Sequence, residues 1–309
     1  MRILETLLPV FVMIGLGFAA RQKQWLSPEH TSGAKALVFS VLFPVLIFNI
    51  LFTSQLSASA FCIIAYVTAA FVVCFLIGTL LKKQFGQYGE VVPYMLTTCE
   101  GGSVCLPLYL TMVAAQYASN TIMFDMAGTI IAFIAIPILV ARKTAEGGSF
   151  GEIALRIAKN PFILAVVFGL ALNLCGVHAW LARTPFLAVY NSVMNMLTGP
   201  IVGVILFAIG YEMVLEGRML KMLLKLMVLR ILLYLCIIAG FFLFFPAMMS
   251  QKEFLIAVLL YFMCPTGFAL PLQLQPLGLD EKQESFMSSF ISLFMIVTLC
   301  VYTALVIFF

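Results

Sequence analysis

The sequence predicts an all-α membrane protein of ten transmembrane helices, built as two inverted five-helix repeats in which discontinuous helices 4 and 9 cross. Three observations lead there. Apolar windows of about 20 residues, split by short polar breaks, recur from end to end. Lys and Arg crowd into alternate breaks. Similar Gly- and Pro-bearing runs occur in the two halves.

Only 10% of the 309 residues are charged and 63% are hydrophobic, with a mean hydropathy of +1.13; a soluble domain carries roughly a quarter charged residues. Lipid is therefore the expected solvent, and no stretch is left over for a soluble domain. The net charge of +4 does not point to nucleic acid, because Lys and Arg stand singly or in pairs at the edges of apolar runs, without interleaved aromatics. All eight cysteines fall within apolar runs and lack partners at zinc-ligand spacing, so no metal site, cofactor or disulfide is expected.

Residues 3–20 have the hydrophobicity of a secretion signal, but Phe18 and Arg21 flank Ala19 and Ala20 where a cleavage site needs small residues. They are read as the first span. Spans 2 to 5 follow near 36–53, 59–81, 91–118 and 121–141, completing a first repeat over 1–141. The longest polar break, rich in Gly and charge, marks a flexible cytoplasmic linker over 142–160. The second repeat, 161–309, holds spans near 161–177, 186–211, 226–249, 254–276 and 286–309.

With the N-terminus outside, the inner breaks hold thirteen Lys and Arg and the outer ones only Arg2, Arg183 and Lys252, with Arg230 left inside a span. Both termini are thus expected on the periplasmic or extracellular side of the inner membrane. Five spans per half put the halves in opposite orientations, so similarity between them implies an inverted repeat. The run LPVFVMIGLGF from Leu8 parallels NPFILAVVFGL from Asn160, and the surroundings of Pro44 parallel those of Pro200.

Spans 4 and 9 are the informative pair. Residues 97–107 read TTCEGGSVCLP and residues 264–271 read CPTGFALP, placing Gly and Pro where a helix should continue. Gly costs about 1 kcal/mol and Pro about 3 kcal/mol in a helix interior, and lipid offers no water to the freed backbone groups. Such segments must be buried in protein or line a wet cavity. Counting about 1.5 Å per residue, both breaks fall near the membrane midplane, where half-helix ends present N–H groups to an anion and carbonyls to a cation.

These features, with LFPVLIF over 42–48, Lys159-Asn160-Pro161 with Gly169, and Gly199-Pro200 through Gly210, resemble the auxin efflux carrier family of membrane permeases along essentially the whole chain. The resemblance implies a scaffold of spans 1, 2, 6 and 7 and a mobile transport unit of spans 3 to 5 and 8 to 10. Members commonly show Asn-x-Gly-x-x-Gly-x-Pro in span 4. Here Glu100, Gly102, Cys105 and Pro107 stand at those positions, so a carboxylate replaces the amide and a thiol the second glycine.

The expected activity is secondary, elevator-like transport of a small organic acid, a mono- or dicarboxylate, coupled to H+. The expected substrate-binding residues are Glu100, Gly101, Gly102, Ser103 and Pro107 in the first break. In the second they are Pro265, Thr266, Gly267, Pro271 and Gln273. Glu100 and Asp125 are the expected proton-coupling pair, because an ionised carboxylate costs about 2.5–3.5 kcal/mol at mid-membrane even on the mildest scale. Asp125 also reads as an interfacial residue, and Arg230 as a cation snorkelling to headgroups. Asn49, Asn195, Thr198 and Gln275 are further neutral hydrogen-bonding candidates. No catalytic residue is expected, since His30 and His178 fall in breaks on opposite sides and no H-E-x-x-H, G-x-S-x-G or P-loop sequence occurs. A channel, a Na+-coupled carrier of another solute and a membrane-embedded enzyme are the alternatives. A homodimer is left open.

Overall fold

The computed structural model describes residues 2–53, 58–143, 161–212, 219–268 and 270–309, and every regular element among them is helical. The linker expected over 142–160 lies outside the described residues from 144 onward. Among the described residues five helices are long and apolar enough to cross a membrane: Pro28–Thr53, Ala60–Tyr88, Phe186–Ala208, Leu220–Phe244 and Glu281–Phe308. Large apolar side chains stand on their outer faces, with Leu80, Met196 and Leu243 more than 70% exposed, a surface suited to hydrocarbon.

Prolines shape several helices in one way. Segments 38–42, 101–105 and 131–135 are π turns, and each ends two residues before a proline: Pro44, Pro107 and Pro137. A proline ring crowds the carbonyl four residues back, which here lies within the π turn, and a widened turn relieves that crowding without ending the helix. Elsewhere proline ends a helix. Leu220–Phe244 stops at Phe245, and Pro246 opens the short helix Pro246–Met249, so span 8 runs from Leu220 rather than continuously over 226–249. Span 10 starts at Glu281 rather than 286, because Asp280 caps it: its Oδ1 accepts from Gln283 N at 2.8 Å, and its own N–H donates to Gln283 Oε1 at 3.2 Å.

The chain forms two compact units. One comprises 9–56 and 148–212, the other 1–8, 57–147 and 213–309. This interleaved grouping gathers the elements that the resemblance assigns to scaffold and transport unit, and is separate from the division of the chain into halves.

In the 9–56 and 148–212 unit, glycines let helix backbones meet. A methyl on Gly17 would strike Phe207 O, and one on Gly210 would strike Ile14 O, so helix Arg2–Gln22 lies directly against Phe186–Glu212. Gly169 does the same for Pro161–Leu174 against Phe43–Thr53, with Phe48 O and Leu51 Cβ each 3.0 Å from where its Cβ would be. Asn173 Nδ2 donates to the carbonyls of Leu51 and Phe52 at 2.9 and 2.8 Å, satisfying the end of Phe43–Thr53. Asn49 is taken up by structure too, accepting from Tyr190 Oη at 2.7 Å.

In the other unit, helices Ala58–Leu81 and Leu220–Phe244 are joined by Tyr66 Oη donating to Ile237 O at 2.7 Å, over space that Gly240 leaves open. Phe71, Phe124, Phe241, Phe254, Phe262 and Tyr234 form a buried aromatic core beside them. Lys225 Nζ donates to Gln84 O at 3.2 Å, so the start of one helix lies beside the end of the other and the two run antiparallel. Gln283 reaches Gln87 O at that same end.

Candidate functional site

Both expected breaks are present, and they touch. In the first, helix Val92–Met95 gives way to residues 96–100, which are not helical, before the π turn 101–105 and helix Leu106–Met112. In the second, helix Lys252–Tyr261 ends, residues 265–268 lack helical structure, and Leu270–Leu274 begins. Pro107 and Pro271 each stand second in the helix they open, where no intrahelical N–H is needed. The gap ends early in the Gly- and Pro-bearing run 97–107: residues 101–106 are already in the π turn and the helix that follows. The widened turn that accommodates Pro107 keeps them helical.

Polar contacts hold the crossing. Glu100 N donates to Pro265 O at 2.7 Å, and Phe268 N donates to Glu100 Oε2 at 2.6 Å. Thr98 Oγ1 lies 3.3 Å from Thr266 Oγ1 and accepts from Gly267 N at 3.4 Å. Glu100, Thr98 and Thr266 are all buried. The expected residues of the two breaks are thus brought together through Glu100, Pro265, Thr266 and Gly267. Ser103 contributes its backbone to the π turn. Gln273 is partly buried in the helix after the second break, and its Nε2 has no partner among the described residues.

Asp125 is no interfacial residue. From helix Ser119–Ile130 its carboxylate faces the N–H of Gly102 and lies against Gly101, near enough to Glu100 for the two carboxylates to repel when both are charged. Gly101 is required there, since a Cβ would overlap the Asp125 carboxylate and crowd the Tyr261 ring. The N–H groups freed by the breaks are therefore filled by the chain itself: that of Gly101 by Cys99 O at 3.1 Å, that of Gly102 by Asp125, that of Gly267 by Thr98, that of Phe268 by Glu100.

The freed carbonyls are satisfied by a residue that the sequence reading sent to the headgroups. Arg230 stands about 15 Å into helix Leu220–Phe244 and is 0% exposed, so it does not snorkel. Its Nη1 donates to Met95 O, and its Nη2 to Thr98 O at 2.7 Å, Cys264 O at 3.2 Å and Cys99 Sγ at 3.7 Å. Tyr234 Oη, one helical turn on, donates to Leu96 O at 3.1 Å, and Thr298 Oγ1 donates to Met263 O at 2.6 Å. The available signal was a lone cation deep inside an apolar run, which in a membrane helix marks an inward-facing functional or structural group.

The elements thus create two poles at one crossing: N–H groups facing carboxylates on one side and carbonyls facing a guanidinium on the other. Among the described residues no cluster of His, Cys, Asp or Glu is suited to a metal ion. Residues 2–153 match the family model described as membrane transport protein. No curated protein matches the chain.

Proposed function

Since this chain belongs, over residues 2–153, to the membrane transport protein family, we propose that it is a proton-coupled secondary carrier of a small organic acid. The observation that carries this reading is the crossing itself, where the Glu100 carboxylate occupies the N–H of Phe268 and Asp125 that of Gly102. Each of these carboxylates holds a place that a substrate carboxylate would seek. Protonation weakens the hold of Glu100 and Asp125 on those N–H groups, which then become free for the incoming anion, with Thr266 at the same crossing and Gln273 in the helix that follows it. Proton and anion then travel together because they need the same rearrangement. A carrier built this way has ten spans in two inverted repeats, with the 57–147 and 213–309 unit moving as an elevator past the other in the cytoplasmic membrane.

The repeat has support on both sides of the chain. Pro107 and Pro271 hold the same place in matching half-helices. Gly17 and Gly169 each follow a proline, Pro9 and Pro161, at the same spacing, and each lies against a helix of the opposite half.

Reconstituted protein should accumulate a mono- or dicarboxylate in proteoliposomes when an inward proton gradient is imposed and lose accumulation when it is collapsed. Glu100→Gln keeps an oxygen to accept from Phe268 N, so it should fold, and combined with Asp125→Asn it should exchange substrate with no response to pH. Uptake that ignores the gradient in the unmodified protein, or a pH response that survives in the folded protein carrying both substitutions, would overturn the coupling.

A further inference from the structure

Three main-chain carbonyls and one sulfur converge where the first halves of the broken helices end: Met95 O, Thr98 O, Cys264 O and Cys99 Sγ. Helix C-termini carry partial negative charge, and carbonyls freed at a break inside a membrane protein are the ligand set that a monovalent metal cation takes. Here the Arg230 guanidinium stands in that place. It reaches the carbonyls through its two Nη atoms, while Nε has no partner among the described residues. The Tyr234 and Phe294 rings lie 4.4 and 4.9 Å from the guanidinium carbon, completing a cage suited to a cation. Among the described residues no carboxylate lies within ion-pair distance of it, so its charge is balanced by backbone dipoles rather than by an acid.

We propose that this carbonyl cluster is a monovalent-cation site that the chain fills with its own guanidinium, so that no dissolved Na+ or K+ binds at the crossing. A metal ion entering the cluster would meet the guanidinium charge and find the carbonyl lone pairs already engaged. The inference rests on reading the crossing as the transport site, and it leaves the proton, at Glu100 and Asp125, as the coupling ion. It also explains why an arginine is tolerated in the middle of an apolar helix: it replaces an ion that the broken helices would otherwise need.

The test is thermal unfolding of the purified full-length protein in detergent, at fixed ionic strength, in sodium, potassium or choline chloride. The wild-type midpoint should be the same in all three. Arg230→Ala should unfold at least about 5 °C lower and recover in a saturable way with Na+ or with millimolar methylguanidinium, but not with choline. Arg230→Lys keeps the charge with fewer directed donors; it should fold and remain indifferent to the cation, and it decides the matter where Arg230→Ala yields no folded protein. A wild-type or Arg230→Lys midpoint that rises saturably with Na+ or K+ over choline would overturn the proposal, as would a folded Arg230→Ala that responds to no cation. No flux enters this measurement, so a protein that fails to transport would refute the carrier reading alone.

Discussion

Glu90 sits between two ammonium groups, with Lys143 Nζ and Lys82 Nζ each 2.9 Å from one of its carboxylate oxygens. Those hydrogen bonds, from Lys143 first and Lys82 second, hold its carboxyl below the ordinary carboxylate range against a smaller opposing effect of partial burial. A value lowered by folding stabilises the protein fully above the unfolded value of about 4.3, and that stabilisation is lost as pH falls through the folded value. Glu90→Gln should therefore unfold at lower temperature than wild type near neutral pH, the gap closing on acidification below about pH 4. Because Glu90 is half exposed, the gap should stay under about 1 kcal/mol and shrink with salt; a constant gap from pH 7 to 3 would remove the ion pairs as its cause. At this scale a charge in an apolar run was legible as important, and Glu100 could be singled out from its place beside Gly101 and Gly102. The partners were not legible. Asp125 comes from another helix, and Arg230 is separated from Met95 by well over a hundred residues, so spacing along the chain says nothing of their meeting.

Helices meet here through glycine where backbones touch and through proline where they bend or break. Gly17 and Gly210 each face the backbone of the opposite helix, so an added methyl finds no side chain to push aside, whereas Gly15 has nothing within 4 Å of its Cβ position. Gly17→Ala and Gly210→Ala should each lower the thermal midpoint by an amount corresponding to about 1–3 kcal/mol, while Gly15→Ala should be neutral or slightly stabilising. Equal behaviour of all three in calorimetry or a thermal-shift assay would mean that the helices do not approach this closely. The positions of the breaks were legible because Gly and Pro penalties add up within a few residues. Their limits were less so: whether a proline ends a helix, as Pro246 does, or widens the turn before it, as Pro107 does, depends on packing around the freed groups. The start of Glu281–Phe308 could have been read from Asp280 and Gln283, a capping pair set just before an apolar run.

Composition alone made the membrane class legible for the whole molecule, since a chain this apolar has no aqueous core to build. The grouping into interleaved units was not written in local pattern; it entered only through the family resemblance, because sequence periodicity orients a helix face without saying which distant helix covers it. The distribution of charge goes further, and it can be tested against the structure. Lys82, Lys143, Lys225 and Gln283 gather at the end of the 57–147 and 213–309 unit where Ala58–Leu81 finishes and Leu220–Phe244 begins. Lys252 instead lies beyond the other end of Leu220–Phe244, where its Nζ donates to Phe309 O at 2.7 Å. A helix of that length spans about 37 Å, enough to cross the hydrocarbon core. The Lys-rich end should therefore face the cytoplasm and the Lys252 end the exterior. In a background lacking the exposed cysteines Cys62, Cys175, Cys236 and Cys300, Lys83→Cys and Ser250→Cys should react with a membrane-impermeant maleimide from opposite sides. In intact cells only Ser250→Cys should label, and in inside-out vesicles only Lys83→Cys. The reverse pattern would invert the orientation while keeping the span, and labelling of both from one side would mean that Leu220–Phe244 does not cross the membrane.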